Sequence, residues 1–282
     1  MLATVVGLAI FFYLRPGIEK DHEYKVSTLA SEAVESIRLV RNEKEIILKQ
    51  LNSVWHLAEP ILARADERKI IELLKVLSAS SNMIFPITDQ AHLGLDQPIV
   101  ELYLNDLYFG FGGLAPTTNL QYLLTDNDIY LVSPRYSILL PVNPLELVSN
   151  NLLAIDEIPV RFKIDDLIVQ REGDVWNIIS PDNKNEALLS QDEFKRWTQS
   201  WHAVNATTIA FHPRIDSNED MGSNVRISLQ EGQEIFFKVQ KNASEIIFLR
   251  IDESLSYHFP VDVGKRLLVP ARIQADKMLS VN

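Results

Sequence analysis

The sequence predicts an α+β fold: two tandem β-rich repeats, each of antiparallel strands with one main amphipathic helix, behind an N-terminal membrane-anchor helix. Three observations lead there. V-W-H-L-A-E-P at residues 54–60 returns, little changed, as V-W-N-I-I-S-P at residues 175–181. A helical pattern with a start signal follows each copy. Residues Leu2 to Leu14 carry no charge. The resulting boundaries are 1–17 for the anchor, 18–150 for the first repeat and 151–282 for the second.

The anchor comes first. L-A-T-V-V-G-L-A-I-F-F-Y-L is shorter than the roughly 20 apolar residues of a full membrane span. It would be completed if Met1 lay inside a longer natural segment. A signal-peptide core and a buried core helix are the alternatives, but no basic residues precede the run and no small-residue cleavage site follows it.

In the first repeat, Ile37–Arg41 and Glu45–Gln50 read as a hairpin, with Trp55–Leu57 as a third strand that Pro60 ends for want of an N–H. A helix is expected from Asp66 to about Ser78, with Ile70, Ile71, Leu74 and Leu77 on its apolar face. Ile99–Leu104, Leu107–Phe111, Asn119–Leu124 and Ile129–Val132 read as strands, and Asn143-Pro144 as a helix start. The second repeat follows the same order. Val160–Ile164, Leu167–Arg171 and Val175–Ile178 lead to Pro181. Ser190 and Glu193 then form an S-x-x-E capping box ahead of Phe194, Trp197, Trp201 and Val204. Val225 lies 126 positions after Ile99 and Asp252 lies 126 after Asp126, against 121 between the tryptophans. Small loop insertions account for the drift. Trp55, Pro60, Trp176 and Pro181 are therefore the markers of the repeat. Each indole is expected to plug a small sheet against the helix behind it, since a buried Trp removes on the order of 200 Å² from water.

Composition excludes several functions. The formal net charge is −11 and both halves are acidic, so no basic stripe exists to neutralise phosphates, and nucleic acid is not an expected partner. No cysteine is present, which removes disulfides, thiolate metal sites and thiol nucleophiles. The six histidines have no metal-ligand spacing, and no G-x-S-x-G elbow occurs. F-G-F-G-G at Phe109–Gly113 lacks the Lys and the helix of a phosphate loop, and reads as a hairpin bend. Asp126-Asn127-Asp128 fails the calcium-loop pattern at Tyr130 and reads as a turn. No catalytic, cofactor or metal residue is assigned, and the protein is expected not to be an enzyme.

Several of these pieces occur together in one family. The succession Leu14-Arg15-Pro16, W-x-L-x-x-P, Ala65-Asp66, His92-Leu-Gly-Leu-Asp-Gln-Pro98 and Ile129–Val132 resembles the bacterial domain of unknown function 4340, most of all through Gly94, Leu95, Asp96 and Pro98. The likeness covers about residues 1–150. It implies a single-pass inner-membrane protein with its body in the periplasm. It also implies an accessory or scaffold role, in some relatives beside gliding-type ABC transporter systems, with an envelope protein as partner. Two other functions stay open. One is a glycan- or peptide-binding module using the aromatic strands Tyr103–Phe111 and Tyr122–Tyr130. The other is a hydrolase with an unrecognised site.

Overall fold

The computed structural model describes residues 22–179, 189–212 and 223–270. The expected anchor over 1–17 and the marker Pro181 lie outside the described residues. Among these residues no helix is long and apolar enough to cross a membrane.

The strands, in chain order, are β1 (Tyr24–Lys25), β2 (Ser36–Arg41), β3 (Lys44–Leu51), β4 (Val54–Glu59) and β5 (Ala63–Arg64). Helix α1 (Glu67–Leu74) follows, then β6 (Ser80–Ser81), β7 (Ile84–Phe85), β8 (Val100–Leu104), β9 (Leu107–Leu114), β10 (Gln121–Leu124), β11 (Ile129–Val132) and α2 (Arg135–Ile138). The rest are β12 (Pro159–Ile164), β13 (Leu167–Glu172), β14 (Val175–Ile179), α3 (Gln191–Ala203), β15 (Thr208–Phe211), β16 (Ser223–Leu229), β17 (Glu234–Lys241), β18 (Glu245–Arg250), β19 (Leu255–Pro260) and α4 (Val261–Leu268).

They form a two-stranded sheet, a nine-stranded sheet of order β5-β4-β3-β2-β8-β9-β10-β11-β7, and an eight-stranded sheet of order β14-β13-β12-β16-β17-β18-β19-β15. With β5 set aside, the two large sheets share one strand order. The chain divides into two compact units. Of the described residues, the first holds 22–54, 58–60 and 67–142; the second holds 55–57, 61–66 and those from 143 onward.

This architecture corrects the α+β expectation. The described residues are mostly strand, and the helices are short rather than one main amphipathic helix per repeat. The helix expected from Asp66 to Ser78 is α-helical only over Glu67–Leu74 and tightens to a 3₁₀ turn at Lys75–Ser78. Its Ile71, expected on the buried face, is 60% exposed. The second unit carries α4 as well as α3. V-D-V-G-K-R-L-L is amphipathic, with Gly264, Leu267 and Leu268 on its buried face, but Gly264 is a weak helix former and hides α4 in the sequence. The reason for that glycine is close packing: a Cβ there would stand 2.5 Å from the Ile246 Cβ.

Local signals are realised where they are strong. The Ser190–Glu193 capping box forms, with the Ser190 side chain accepting from the Glu193 N–H and the Glu193 carboxylate accepting from the Ser190 N–H. The same device at Asn143 and Glu146 starts a 3₁₀ helix at Pro144. Two-residue turns with positive φ at Asn42-Glu43, Asn52-Ser53 and Gly173 set the hairpin registers. Register makes Val100, paired with Phe111, the counterpart of Val225, paired with Phe237. The repeat offset there is thus one residue from the expected Ile99 match.

The core of the second unit is aromatic. Alternation along the strands turns Phe162, Phe237 and Phe248 to one face of the sheet, where α3 supplies Trp197 and Trp201. Phe162 lies 4.7 Å from Trp197 and 6.1 Å from Trp176 between ring centroids, and Trp201 lies 5.7 Å from Phe248, edge to face. Such tilted contacts contribute about 0.5–1.5 kcal/mol each beyond area burial.

Candidate functional site

Two arrangements of polar side chains stand out, both within the second unit. The first is a buried ionic network. Arg64 Nε donates to Glu253 Oε1 at 2.6 Å, and the Arg64 backbone N–H reaches the same oxygen at 3.1 Å. Tyr257 donates its hydroxyl proton to Glu253 Oε2 at 2.5 Å. Arg250 donates to both carboxylate oxygens of Glu157, to the Leu152 carbonyl at 2.8 Å and to both oxygens of Asp252. Arg64, Arg250 and Glu253 are almost wholly buried.

Burial opposes ionisation of Glu253, but Arg64 and Arg250 outweigh it and hold the carboxyl at about 2. The same balance lowers Glu157, where burial is overcome by Arg250. Burial, together with the charge of Glu253, pushes the Tyr257 phenol upward, so it remains a proton donor. Buried charges persist when paired and hydrogen-bonded, as these are. Among the described residues the most exposed member of the network is Asp252, whose side chain is 54% exposed.

Asp252 leads to the second arrangement. The face of the eight-stranded sheet opposite the aromatic core carries a groove of about 1090 Å³, with Asp252 in its wall. Cross-strand register builds its floor in two rows. Lys163 pairs with Arg226, Arg226 with Phe236, and Ile251 donates its N–H to the Phe236 carbonyl. In the next row Asp165 lies beside Asn224, which pairs with Lys238, which pairs with Leu249. Neighbouring strands stand about 4.8 Å apart, so each row is a ladder of adjoining side chains. Phe236 and Ile251 are 40% and 43% exposed, and the Arg226 guanidinium sits 4.8 Å over the Phe236 ring.

The two units treat this face differently. Register makes Gly110 and Gly112 the counterparts of Phe236 and Lys238. In the first unit the chain's own Leu93–Leu95 segment lies on Gly112 and Gly113, and the Tyr108 side chain lies against Gly110. A Cβ at Gly112 would meet the Leu93 carbonyl oxygen at 2.6 Å and Leu95 Cδ2 at 2.7 Å. Leu95 then packs with Leu124 and Ile129, beside Tyr108 and Tyr122. F-G-F-G-G is therefore strand, not the bend expected, and its glycines admit the G-L-D-x-P segment. The aromatic strands proposed as a ligand surface lend Tyr108 and Tyr122 to this packing.

A third cluster has the outline of a catalytic triad. His258 Nδ1 lies 3.0 Å from Glu245 Oε2, and His258 Nε2 lies 3.2 Å from Ser256 Oγ. The serine is 4% exposed and is also 3.2 Å from the Ala210 carbonyl, which competes for its single proton. Its strand β19 is paired on both sides, by β18 and β15, so the flanking N–H groups are committed to ladders rather than to an oxyanion. The geometry is that of a cross-strand hydrogen-bond ladder. No group of three His, Asp or Glu among the described residues is placed to hold a metal ion.

Of the sequence markers, Trp55 is 7% and Trp176 is 6% exposed, each the second residue of the strand that follows a two-residue turn. Trp176 lines a smaller recess of about 500 Å³ with Lys195 and His202, where burial lowers the His202 pKa. Pro60 follows β4. The sequence reading brought none of the network or groove residues together. One signal was available: strand parity in E-I-I-F-L-R turns Arg250 inward with Ile246 and Phe248, and an inward arginine demands acids.

The family described as domain of unknown function (DUF4340) matches residues 55–212, more than half of the chain. The chain belongs to the DUF4340 family. No significant match was found among curated proteins or among solved structures. The DUF4340 match begins at Trp55, includes Pro60, Trp176, Pro181 and the G-L-D-x-P segment, and ends at His212. Strands β16–β19, with most of the groove and with Arg250 and Glu253, follow the matched span.

Proposed function

We propose that the protein is a non-enzymatic accessory protein of the bacterial envelope, tethered to the inner membrane through Leu2–Leu14, with its body in the periplasm, and that it binds another protein through the groove of its second unit. One observation carries the reading. Among the described residues, the outward sheet face on which the first unit lays Leu93–Leu95 is, in the second unit, a groove of about 1090 Å³ lined by apolar side chains and by charged side chains of both signs. A sheet face that carries Phe236, Ile251 and Arg226 among charges of both signs is suited to a polypeptide surface, since interfaces combine apolar area with arginine and aromatic anchors. The uncharged Leu2–Leu14 run supports the tether. The resemblance to transporter-associated relatives supports a transporter complex as the setting.

The test is photo-crosslinking in cells, with a benzophenone amino acid at Phe236 and, as control, at the exposed Ile71. The expected result is a discrete adduct from position 236 alone, in the membrane fraction, with release of the protein when residues 2–14 are deleted. Equal adducts from both positions, or a protein that fractionates identically with and without those residues, would overturn the proposal.

A further inference from the structure

The segment that lies on the first sheet is pinned at its two ends and lightly held between them. At this end of the nine-stranded sheet the order is β8-β9-β10-β11-β7, and the chain leaves β7 at Phe85 to re-enter the sheet just before β8. Residues Pro86–Pro98 therefore cross the outward face over β11, β10 and β9. Phe85 pairs with Ile129, and the Ile99 N–H donates to the Phe111 carbonyl at 2.8 Å. From β7 to β8 is four strand spacings, roughly 19 Å, whereas a stretch of this length reaches about 40 Å when extended. It has the slack to rise without releasing either pin.

Between the pins its hydrogen bonds turn inward. The His92 N–H donates to the Asp89 carbonyl, that of Gly94 to Ala91 and that of Leu95 to Gln90. The His92 ring pairs with the Asp89 carboxylate at 2.7 Å. Among the described residues no side-chain hydrogen bond or ion pair ties Pro86–Pro98 to any other part of the chain. Leu95, 2% exposed, is the one buried side chain of the segment, and it packs on Leu124 and Ile129 beside Tyr108 and Tyr122. The free energy of a local opening follows the buried apolar contacts and the ladder bonds that it breaks. Lifting this segment uncovers one leucine and leaves its internal bonds intact; opening a strand of the sheet breaks a ladder on both sides.

We infer that Pro86–Pro98 is a hinged strap, latched by Leu95, that lifts from the outward face of the first sheet while the sheet stays folded. Lifting bares an apolar and aromatic face of Leu124, Ile129, Tyr108 and Tyr122; closing returns it to cover. The device belongs to the first unit and is independent of the groove reading above.

The chain has no cysteine, so a single introduced thiol reports on its own surroundings. The experiment places one beneath the latch, Leu124→Cys, and one in the core away from it, Leu102→Cys, in the full chain in detergent, and follows maleimide labelling across dilute urea. Leu124 is 8% and Leu102 0% exposed. The expected rate at position 124 exceeds that at position 102 by at least about tenfold and is insensitive to urea, as a local opening is, while the rate at 102 climbs with urea. Adding Leu95→Ala to the Leu124→Cys chain should raise its rate by at least about another tenfold, and Leu95→Met should leave it near the original. Equal rates at 124 and 102 with the same urea dependence overturn the inference, and so does an unchanged rate when Leu95→Ala removes the latch. If far-UV circular dichroism shows that a variant does not fold, hydrogen exchange of the unsubstituted chain decides. Gly94 and Leu95 amides that exchange by a urea-independent route faster than the β9 amides support the strap; amides that exchange in step with β9 at every urea concentration refute it.

Discussion

Replacing Glu253 by Gln should cost the second unit about 3–5 kcal/mol, the range for removing one partner of a buried ion pair. The structure shows where the cost arises. The two carboxylate oxygens accept four bonds: from the Arg64 N–H at 3.1 Å, Arg64 Nε at 2.6 Å, Arg64 Nη2 at 3.3 Å and the Tyr257 hydroxyl at 2.5 Å. Glutamine keeps one acceptor oxygen, and in either orientation its NH₂ faces a donor. Arg64 also loses its nearest counter-charge and keeps only Glu157 at 3.6 Å. Urea unfolding followed by tryptophan fluorescence measures the effect cleanly, because Trp55, Trp176, Trp197 and Trp201 all belong to the second unit. The double variant Arg64→Met/Glu253→Met, which removes both charges, should lose less than Glu253→Gln does. A loss below about 1 kcal/mol for Glu253→Gln would refute the reasoning, since the carboxylate would then not be what neutralises Arg64.

Three other outcomes are expected. Glu253 has its folded pKa lowered from 4.5 to about 2, so its contribution is complete above 4.5 and disappears as pH falls through 2; the shift corresponds to about 3 kcal/mol. Urea midpoints measured across that window should fall more steeply for the wild type than for Glu253→Gln. Gly112→Ala should destabilise the first unit by about 1–3 kcal/mol, because the added Cβ meets a backbone oxygen and Leu95; far-UV circular dichroism on heating reads it, and an unchanged melting curve would disprove the close packing. A fluorophosphonate probe should not label Ser256, and covalent labelling that disappears in Ser256→Ala would revive the hydrolase reading.

What the sequence made legible is local. Hairpin turns, capping boxes and strand alternation involve residues a few positions apart, and the Ser190–Glu193 box and the Asp126–Asp128 turn form where expected. The short two-residue strands and α4 were missed. A two-residue strand has no period, and Gly264 reads as a helix breaker until Ile246 is seen against it. The ionic network was missed for a different reason. Arg64 and Glu253 are separated by 189 positions and Arg250 and Glu157 by 93, so their pairing exists only through the sheet. Asp252 and Glu253 lie in the turn between β18 and β19, where a D-E-S run gives no sign that either acid pairs with a buried arginine. One of them sits in the groove wall; the other is buried.

The shared strand order and the different outward faces are two sides of one physical constraint. A sheet with its inner face packed on a core still has an outer face, and that face must be covered or made compatible with water. In the first unit outward glycines lower the surface enough for Leu93–Leu95 to lie on it, and the apolar cluster around Leu95 closes over Leu124 and Ile129. In the second unit, phenylalanine and lysine at the matching stations raise the surface and charge it, and Arg226 lies over the ring beside them. Among the described residues, the substitution puts a 40% exposed aromatic ring where the first unit has a glycine. It does so without touching the inward residues, whose alternation keeps Val225, Ile227, Ile235 and Phe237 in the core. Period-two alternation is what permits this separation: one strand can hold its fold with every second residue and vary the rest. For that reason two units built on one strand order can carry different outward faces.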